Sequence, residues 1–342
     1  MASDKNIQLT FKDFKSDQEV RWCAGCGDHA ILNAVHKAMA NIGKPREEFA
    51  VISGIGCSSR FPYYMNTYAF HSIHGRALAI ASGTKTANPD LSVWVITGDG
   101  DGMAIGGNHF IHAIRRNINI NVILFNNEIY GLTKGQYSPT TQEGLVTKTS
   151  PYGTIEHPFN PGELVLGANG HFFARSIDVN MKLTTELLQQ ADDHKGTSIV
   201  EILQNCVIYN DKTHGYYTDK AEKQDRQIVL RHGEKMIFGK ENDKGIILDK
   251  MKLRVAKIGE NGVTVDDILV HDAFESSPFL HWMLINMKGP DFPIALGLIR
   301  ATKATTYDEK MEAQVAEVKA NSSIKTMNDL LHSGATWKIE NE

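Results

Sequence analysis

Cysteine and long apolar runs are both scarce in this sequence. Only four cysteines occur in 342 residues, Cys23, Cys26, Cys57 and Cys206. No apolar stretch approaches the roughly 20 residues that span a bilayer, and the opening MASDKNIQLTFKDF has no apolar signal core. A cytoplasmic location is therefore expected, with disulfides disfavoured. An excess of one charge is also missing. The 36 Lys and Arg against 40 Asp and Glu leave a net charge of −4, which gives no case for nucleic acid or an anionic membrane as partner. There is no internal repeat, no low-complexity segment and no ferredoxin-type CxxCxxC run. What is present, 42% hydrophobic and 22% charged residues, is the make-up of a globular chain with a sizeable core.

The stretch from Val93 to Gln136 organises the rest. Val93–Thr97 is a short β-rich run that reads as a buried parallel strand. It stops at Gly98-Asp99-Gly100-Asp101-Gly102. Met103 to Arg116 follows with a helical apolar pattern and two arginines suited to a helix C-terminus. Asn121–Phe125 is a second buried strand, ending at Asn126-Asn127. In such a βαβ unit, ligands sit beyond the carboxyl ends of the strands. Asp99 and Asn127 fall there, as hard oxygen donors that suit Mg²⁺ better than zinc. Gly-Asp-Gly, then about thirty residues, then Asn-Asn on this frame is the thiamine-diphosphate motif, with the substrate diphosphate completing the metal shell. A dinucleotide fold is disfavoured, because the glycine spacing is not GxGxxG and no acidic residue ends the second strand.

In chain order, residues 1–20 are polar and expected as an extended arm, followed by the CxxC loop RWCAGCGD at 21–28. Ala30–Ile42 reads as a helix and Phe49–Ile55 as a strand ending in Gly56-Cys57-Ser58-Ser59-Arg60. A small-residue helix follows His74-Gly75-Arg76. Tyr137 to Pro161 is a long loop, of the kind that is usually functional. His171–Ile177, Thr184–His194 and Thr197–Leu203 read as strand, helix and last core strand. Beyond, Leu253–Ile258 and Gly262–Val270 alternate like a hairpin, and 272–288 and 307–320 look helical. The expected fold is an open, mostly parallel α/β sheet with helices on both faces, plus a mixed α+β C-terminal extension. The corresponding division is 1–28, an arm with the CxxC loop; 29–210, the cofactor domain; and 211–342, an extension that wraps a partner.

The four cysteines suggest one site. CxxC holds two thiols on a tight loop, and Cys57 and Cys206 each follow a strand end of the same sheet. Cys₄ sites take zinc or an iron–sulfur cluster. Structural zinc usually recruits paired CxxC motifs, so one pair plus two distant singles favours [4Fe–4S]. Thiamine diphosphate acts as an electron sink, and a neighbouring cluster can take electrons from it one at a time.

These motifs resemble the β subunit of 2-oxoacid:ferredoxin oxidoreductases, in the 2-oxoglutarate (KorB-like) branch. The matching segments are WCAGCGD at 22–28, GIGCSSR at 54–60, HSIHGRA at 71–77, GDGDGMAIGGNH at 98–109, NNEIYGLTKGQ at 126–136, SPTT at 138–141, TKTSPYG at 147–153 and EILQNC at 201–206. The resemblance implies oxidative decarboxylation of 2-oxoglutarate with coenzyme A, yielding succinyl-CoA, CO₂ and reduced ferredoxin. Pyruvate or a broader range of 2-oxoacids is the alternative substrate, and a non-redox thiamine-dependent decarboxylase the alternative enzyme. The resemblance makes Cys23, Cys26, Cys57 and Cys206 the cluster ligands. It makes Asp99, Asn127 and the carbonyl of Ile129 the Mg²⁺ ligands. Ile55, Gly56, Cys57, Ser58, Gly98, Gly100, Asp101, Gly131 and Leu132 become the cofactor shell. His74 either touches the cofactor or bonds to backbone, and Asp101 either joins the shell or only accepts backbone bonds. Arg60 is the candidate for a substrate carboxylate, with a structural salt bridge as its other reading and Lys134 as a weaker candidate. The implied partners are an α subunit carrying the pyrimidine-binding domain, in an (αβ)₂ assembly, and a separate ferredoxin.

Overall fold

The strands form where the sequence is apolar at nearly every position, as strands covered on both faces must be. The computed structural model describes residues 9–340. In chain order it contains α1 (Asp28–Ile42), β1 (Phe49–Ser53), α2 (Phe61–Tyr64), β2 (Tyr68–His71), α3 (Ala77–Ala87), β3 (Ser92–Gly98), α4 (Gly107–Arg116) and β4 (Asn121–Asn126). After a long loop come α5 (Pro161–Gly167), β5 (Phe172–Ile177), α6 (Met181–Asp193) and β6 (Ser198–Leu203). The last third adds the short turns α7 (Gly215–Thr218) and α8 (Lys223–Arg226), then β7 (Gln227–Leu230), β8 (Ile237–Phe238), β9 (Lys244–Asp249), β10 (Lys252–Lys257), α9 (Phe279–Ile285), β11 (Ile294–Ala301), α10 (Tyr307–Asn321) and α11 (Met327–Leu331). None of these helices is long and apolar enough to cross a membrane.

The main sheet has eight strands in the order β2-β1-β3-β4-β6-β5-β11-β7, parallel except where β11 meets β5. Residues alternate between its two faces. Val93 and Val95 point into one core with Leu78 and Ala81 of α3 and Phe110 and Ile114 of α4. Trp94 and Ile96 point into the other, with Val35 and Met39 of α1 and Leu187 and Leu188 of α6. The chain leaves β1 for β2 on one side and returns to β3 on the other. That reversal is the topological switch point, where α/β sheets bind their ligands.

Several expectations need correction. Thr197–Leu203 is not the last core strand, because β11 and β7 extend the sheet from residues beyond 211. The hairpin pairs β9 with β10, Leu253 facing Leu248, and Gly262–Val270 contains only a single 3₁₀ turn, Val265–Asp267. Its tight turn uses Lys250 at φ 56°, a residue that carries no turn signal, so the glycines further on drew the reading away. The helix expected over 272–288 is only Phe279–Ile285, beginning after Ser276-Ser277-Pro278. The helix after the Gly-Asp-Gly run opens with a π-helical turn at Asp101–Ile105 before α4, a widening often found at functional sites. The expected N-terminal arm is described from residue 9, and its first eight residues lie outside the described residues. From there it packs on the body, with Phe14 buried edge-on against Phe49.

Candidate active site

The carboxyl ends of β1, β3, β4 and β6 lie side by side, so the loops after residues 53, 98, 126 and 203 share one rim. Asp101 ties three segments of it together. Its Oδ1 accepts the backbone N–H of Ile55 at 3.0 Å and of Gly75 at 2.7 Å, and lies 2.6 Å from Nδ1 of His74. Its Oδ2 accepts the Thr97 hydroxyl at 2.7 Å. Asp101 thus accepts from backbone and side-chain groups alike. His74 is bonded to a carboxylate rather than to backbone. Its ring stays 37% exposed, 6.3 Å from the Tyr130 ring.

Asp99 is almost fully buried. The hydroxyls of Ser138 and Thr140 both reach its Oδ2 at 2.6 Å, and among the described residues no side-chain hydrogen bond reaches Oδ1. Burial pushes its carboxyl up to about 6, against these hydroxyls and nearby backbone N–H groups. An ionised Asp99 thus lacks a positive partner. Asn127 closes a local turn, its Oδ1 accepting the Ile129 N–H at 3.2 Å. Its carbonyl is held by Asn210 Nδ2 at 3.0 Å. Among the described residues no hydrogen bond ends on the Ile129 carbonyl. A carboxylate oxygen, an amide oxygen and an unused carbonyl fit a hard divalent cation. The long loop supplies Ser138 and Thr140, partners that sequence reasoning missed although SPTT stood out as a motif. Gly100 is required by its neighbour, since a Cβ there would overlap the Tyr130 ring. A Cβ on Gly98 would face Ser58 Oγ at 3.7 Å, which places Ser58 beside the Gly-Asp-Gly turn.

The cysteines gather on the same rim. The Trp22 indole donates to the Cys57 carbonyl at 2.7 Å, fastening the CxxC loop to the loop after β1. Gln204 Nε2 donates to Cys26 Sγ at 3.2 Å. A Cβ on Gly131 would sit 3.4 Å from Cys206 Sγ and 3.7 Å from Cys57 Sγ. Burial pushes the Cys57 thiol up to about 12, with Asp28, Cys206 and Cys23 raising it further and Arg60 lowering it. Burial, then Asp28, Cys206 and Cys57, raises Cys26. The Cys57 thiol is thus within electrostatic reach of Cys206 and Cys23, and Cys26 of Cys206 and Cys57, and burial disfavours the thiolate at Cys26 and Cys57 until a cation arrives. The four cysteines do not form a finished ligand set, for among the described residues no three His, Cys, Asp or Glu side chains stand grouped to hold a metal.

Arg60 has no ion pair among the described residues, contrary to its structural reading. Its Nε donates to Tyr64 Oη at 3.0 Å and its guanidinium lies 5.9 Å from the Tyr63 ring centre. Ile55, Ile73, Ile105 and Leu132 are 37%, 71%, 58% and 51% exposed around the rim. Lys134 is exposed, with its backbone at φ 77°. Neither of two clefts in the molecule is centred on Asp99. One of about 1040 Å³ lies between α6 and β11, and one of about 450 Å³ opens beside Cys26.

A sheet with this switch point and a buried acid at the end of β3 defines a thiamine-diphosphate-binding fold. Residues 54–202 match the thiamine pyrophosphate enzyme C-terminal TPP-binding domain. The 2-oxoglutarate oxidoreductase subunit KorB of Mycobacterium tuberculosis is 48% identical over 96% of this chain and 88% of its own length. The β subunit of 2-oxoacid:ferredoxin oxidoreductase 2 of Aeropyrum pernix is 38% identical over 79% of this chain and 94% of its own. A solved 2-oxoglutarate:ferredoxin oxidoreductase from Magnetococcus marinus, with 2-oxoglutarate, coenzyme A and succinyl-CoA bound, superposes with a TM-score of 0.76 at 33% identity, over 97% of this chain and 98% of that one. This chain belongs to the family of KorB-type β subunits of 2-oxoacid oxidoreductases.

Proposed function

We propose that this chain is the thiamine-diphosphate-binding β subunit of a 2-oxoglutarate:ferredoxin oxidoreductase, converting 2-oxoglutarate and coenzyme A to succinyl-CoA and CO₂ and passing the electrons through one [4Fe–4S] cluster to ferredoxin. The observation that carries it is the pairing on one rim of a buried Asp99, engaged by hydroxyls through Oδ2 alone, with the four cysteines. When bound, thiamine diphosphate would supply a nucleophilic carbanion and an electron sink. Asp99, Asn127 and the Ile129 carbonyl would hold Mg²⁺ against its diphosphate. Asp101 fixes the backbone at Ile55 and Gly75, and Cys23, Cys26, Cys57 and Cys206 would hold the cluster. Residues 1–28 carry the CxxC loop and 29–210 the cofactor. Residues 211–342, beyond the strands they lend the sheet, cover the α subunit. An anaerobic assay of the complete complex against several 2-oxoacids with a viologen acceptor tests the whole reading, and activity on none of them overturns it.

Two further results are expected. Protein purified without oxygen should be brown and hold about four iron and four sulfide per chain, as a Cys₄ cubane requires. Cys57→Ala should lose both the colour and electron transfer, whereas one zinc and no sulfide would sink the cluster. Arg60 is free to bind the distal carboxylate of 2-oxoglutarate. Hydrogen bonds to charged groups contribute about 1.5–3 kcal/mol, so Arg60→Ala should raise KM for 2-oxoglutarate roughly ten- to a hundredfold and leave that for pyruvate nearly unchanged. Equal losses on both substrates would move Arg60 to the shared 1-carboxylate.

A further inference from the structure

Behind Asp99 lies a buried ion pair whose placement stability does not explain. Arg175 of β5 and Glu201 of β6 face each other in the parallel register. Both are buried, with Nε 2.6 Å from Oε2. Desolvating two charges costs so much that well-packed apolar replacements are often neutral or stabilising. A pair kept in such a position invites a second role.

The pair is the middle of an unbroken polar chain. On one side, Arg175 Nη1 donates to the carbonyl of Ile285, the last residue of α9, and Nη2 to Asn160 Oδ1, each at 3.4 Å. On the other, Glu201 Oε1 accepts from Asn126 Nδ2 at 2.8 Å. Asn126 Oδ1 lies 2.9 Å from the Thr140 hydroxyl, and that hydroxyl lies 2.6 Å from Asp99 Oδ2. Asn126, Thr140 and Asp99 are all buried. An ionised carboxylate only accepts hydrogen bonds. Glu201 therefore turns the Asn126 amide oxygen toward Thr140, so that the single Thr140 hydroxyl proton is shared between Asn126 Oδ1 and Asp99 Oδ2 and the Thr140 oxygen is held between them. Asn126 also precedes Asn127, and its carbonyl is pinned by Gln204 N at 2.9 Å and His214 Nε2 at 3.0 Å.

We propose that Arg175 and Glu201 are positioning residues for the divalent cation. Through Asn126 and Thr140 they hold Asp99 with Oδ2 engaged and Oδ1 left for the ion, and they steady the strand end that carries Asn127. Through Ile285 they make the cation's seat depend on α9, which gives the last third of the chain a part in cofactor binding. The inference rests on the reading of Asp99 as a Mg²⁺ ligand.

The test uses the complete complex with Mn²⁺ as the probe ion, its binding followed by electron paramagnetic resonance in the presence of thiamine diphosphate. The double variant Arg175→Met, Glu201→Leu replaces both charges with apolar side chains and leaves no unpaired charge, while Asn126 Nδ2 loses its acceptor. It should melt near the parent temperature yet bind Mn²⁺ up to roughly 10-fold more weakly, the lower end of the range for groups bonded directly to a metal ligand, because three hydrogen bonds separate Glu201 from Asp99. KM for thiamine diphosphate should rise while kcat at saturating cofactor holds. Thr140→Val should weaken Mn²⁺ binding in the same way, and Thr140→Ser should restore it. Parent-like Mn²⁺ affinity in the double variant overturns the inference. Should that variant fail to assemble, the Thr140 pair decides, and parent-like affinity in Thr140→Val overturns it. Asp99→Ala is the control. If it leaves Mn²⁺ affinity unchanged, the Mg²⁺ reading itself falls. If Asp99→Ala loses Mn²⁺ while the other variants keep it, only the positioning role is refuted.

Discussion

Asp99→Ala is expected to empty the site of its cofactor. The diphosphate of thiamine diphosphate is strongly anionic, and the rim offers it mostly acids. Burial pushes Asp28 up to about 7, and Glu128, which Asp99 raises further, also to about 7. A divalent cation must stand between these charges and the ligand, and Asp99 is the one charged group among its proposed ligands. Loss of a direct ligand should weaken cofactor binding by more than the roughly 10- to 100-fold seen for groups behind a metal ligand. The fold should survive, because the substitution removes a desolvated acid. The hydroxyls it frees have one another, Ser138 Oγ lying 3.3 Å from Thr140 Oγ1 and 3.2 Å from Thr141 Oγ1. Calorimetry of the complex with thiamine diphosphate and Mg²⁺ checks this, and an unchanged cofactor content in Asp99→Ala would show that the motif has another meaning.

The parts of this molecule that were legible in its sequence are those governed by local pattern. β1, β3, β4 and, apart from Glu201, β6 are largely apolar runs that end in, or within two residues of, a glycine or asparagine, so both the strands and their ligand-facing ends could be read. The four cysteines could be placed on one rim because each follows such an end or sits in the CxxC loop. What escaped depends on partners distant in sequence. Nothing local in Ser138 or Thr140 says that they bond to Asp99, some forty residues earlier. Arg175 and Glu201 read as polar interruptions of strands until the register sets them opposite each other. β11 was overlooked because Ile294–Ala301 follows a charged, irregular stretch, although its burial matches the other strands. The N-terminal segment is polar on average, and the buried Phe14 together with the Lys15–Met65 bridge anchors it.

This chain alone, loaded with cluster, Mg²⁺ and thiamine diphosphate, is expected to turn over 2-oxoacids at least roughly 10²-fold more slowly than the complete complex, the scale on which a misplaced reacting group slows catalysis. Thiamine enzymes of the kind this chain resembles hold the diphosphate on one α/β core and the aminopyrimidine ring on a second. Among the described residues there is one eight-stranded sheet, and the only other sheet is the three-stranded β10-β9-β8, too small to be the second core. Asp101 draws the 54–55 and 74–75 backbone together, and the neighbouring Ile55, Ile73, Ile105 and Leu132 stand exposed around it. An apolar collar around a polar site marks a surface built to be covered. Covering it would also keep water from the reacting carbon until its electrons have left. The measurement is 2-oxoglutarate-dependent viologen reduction by the reconstituted chain beside the complex, at equal cluster content. Turnover within a few-fold of the complex would mean that the second core is not needed, and that the exposed collar serves some other contact.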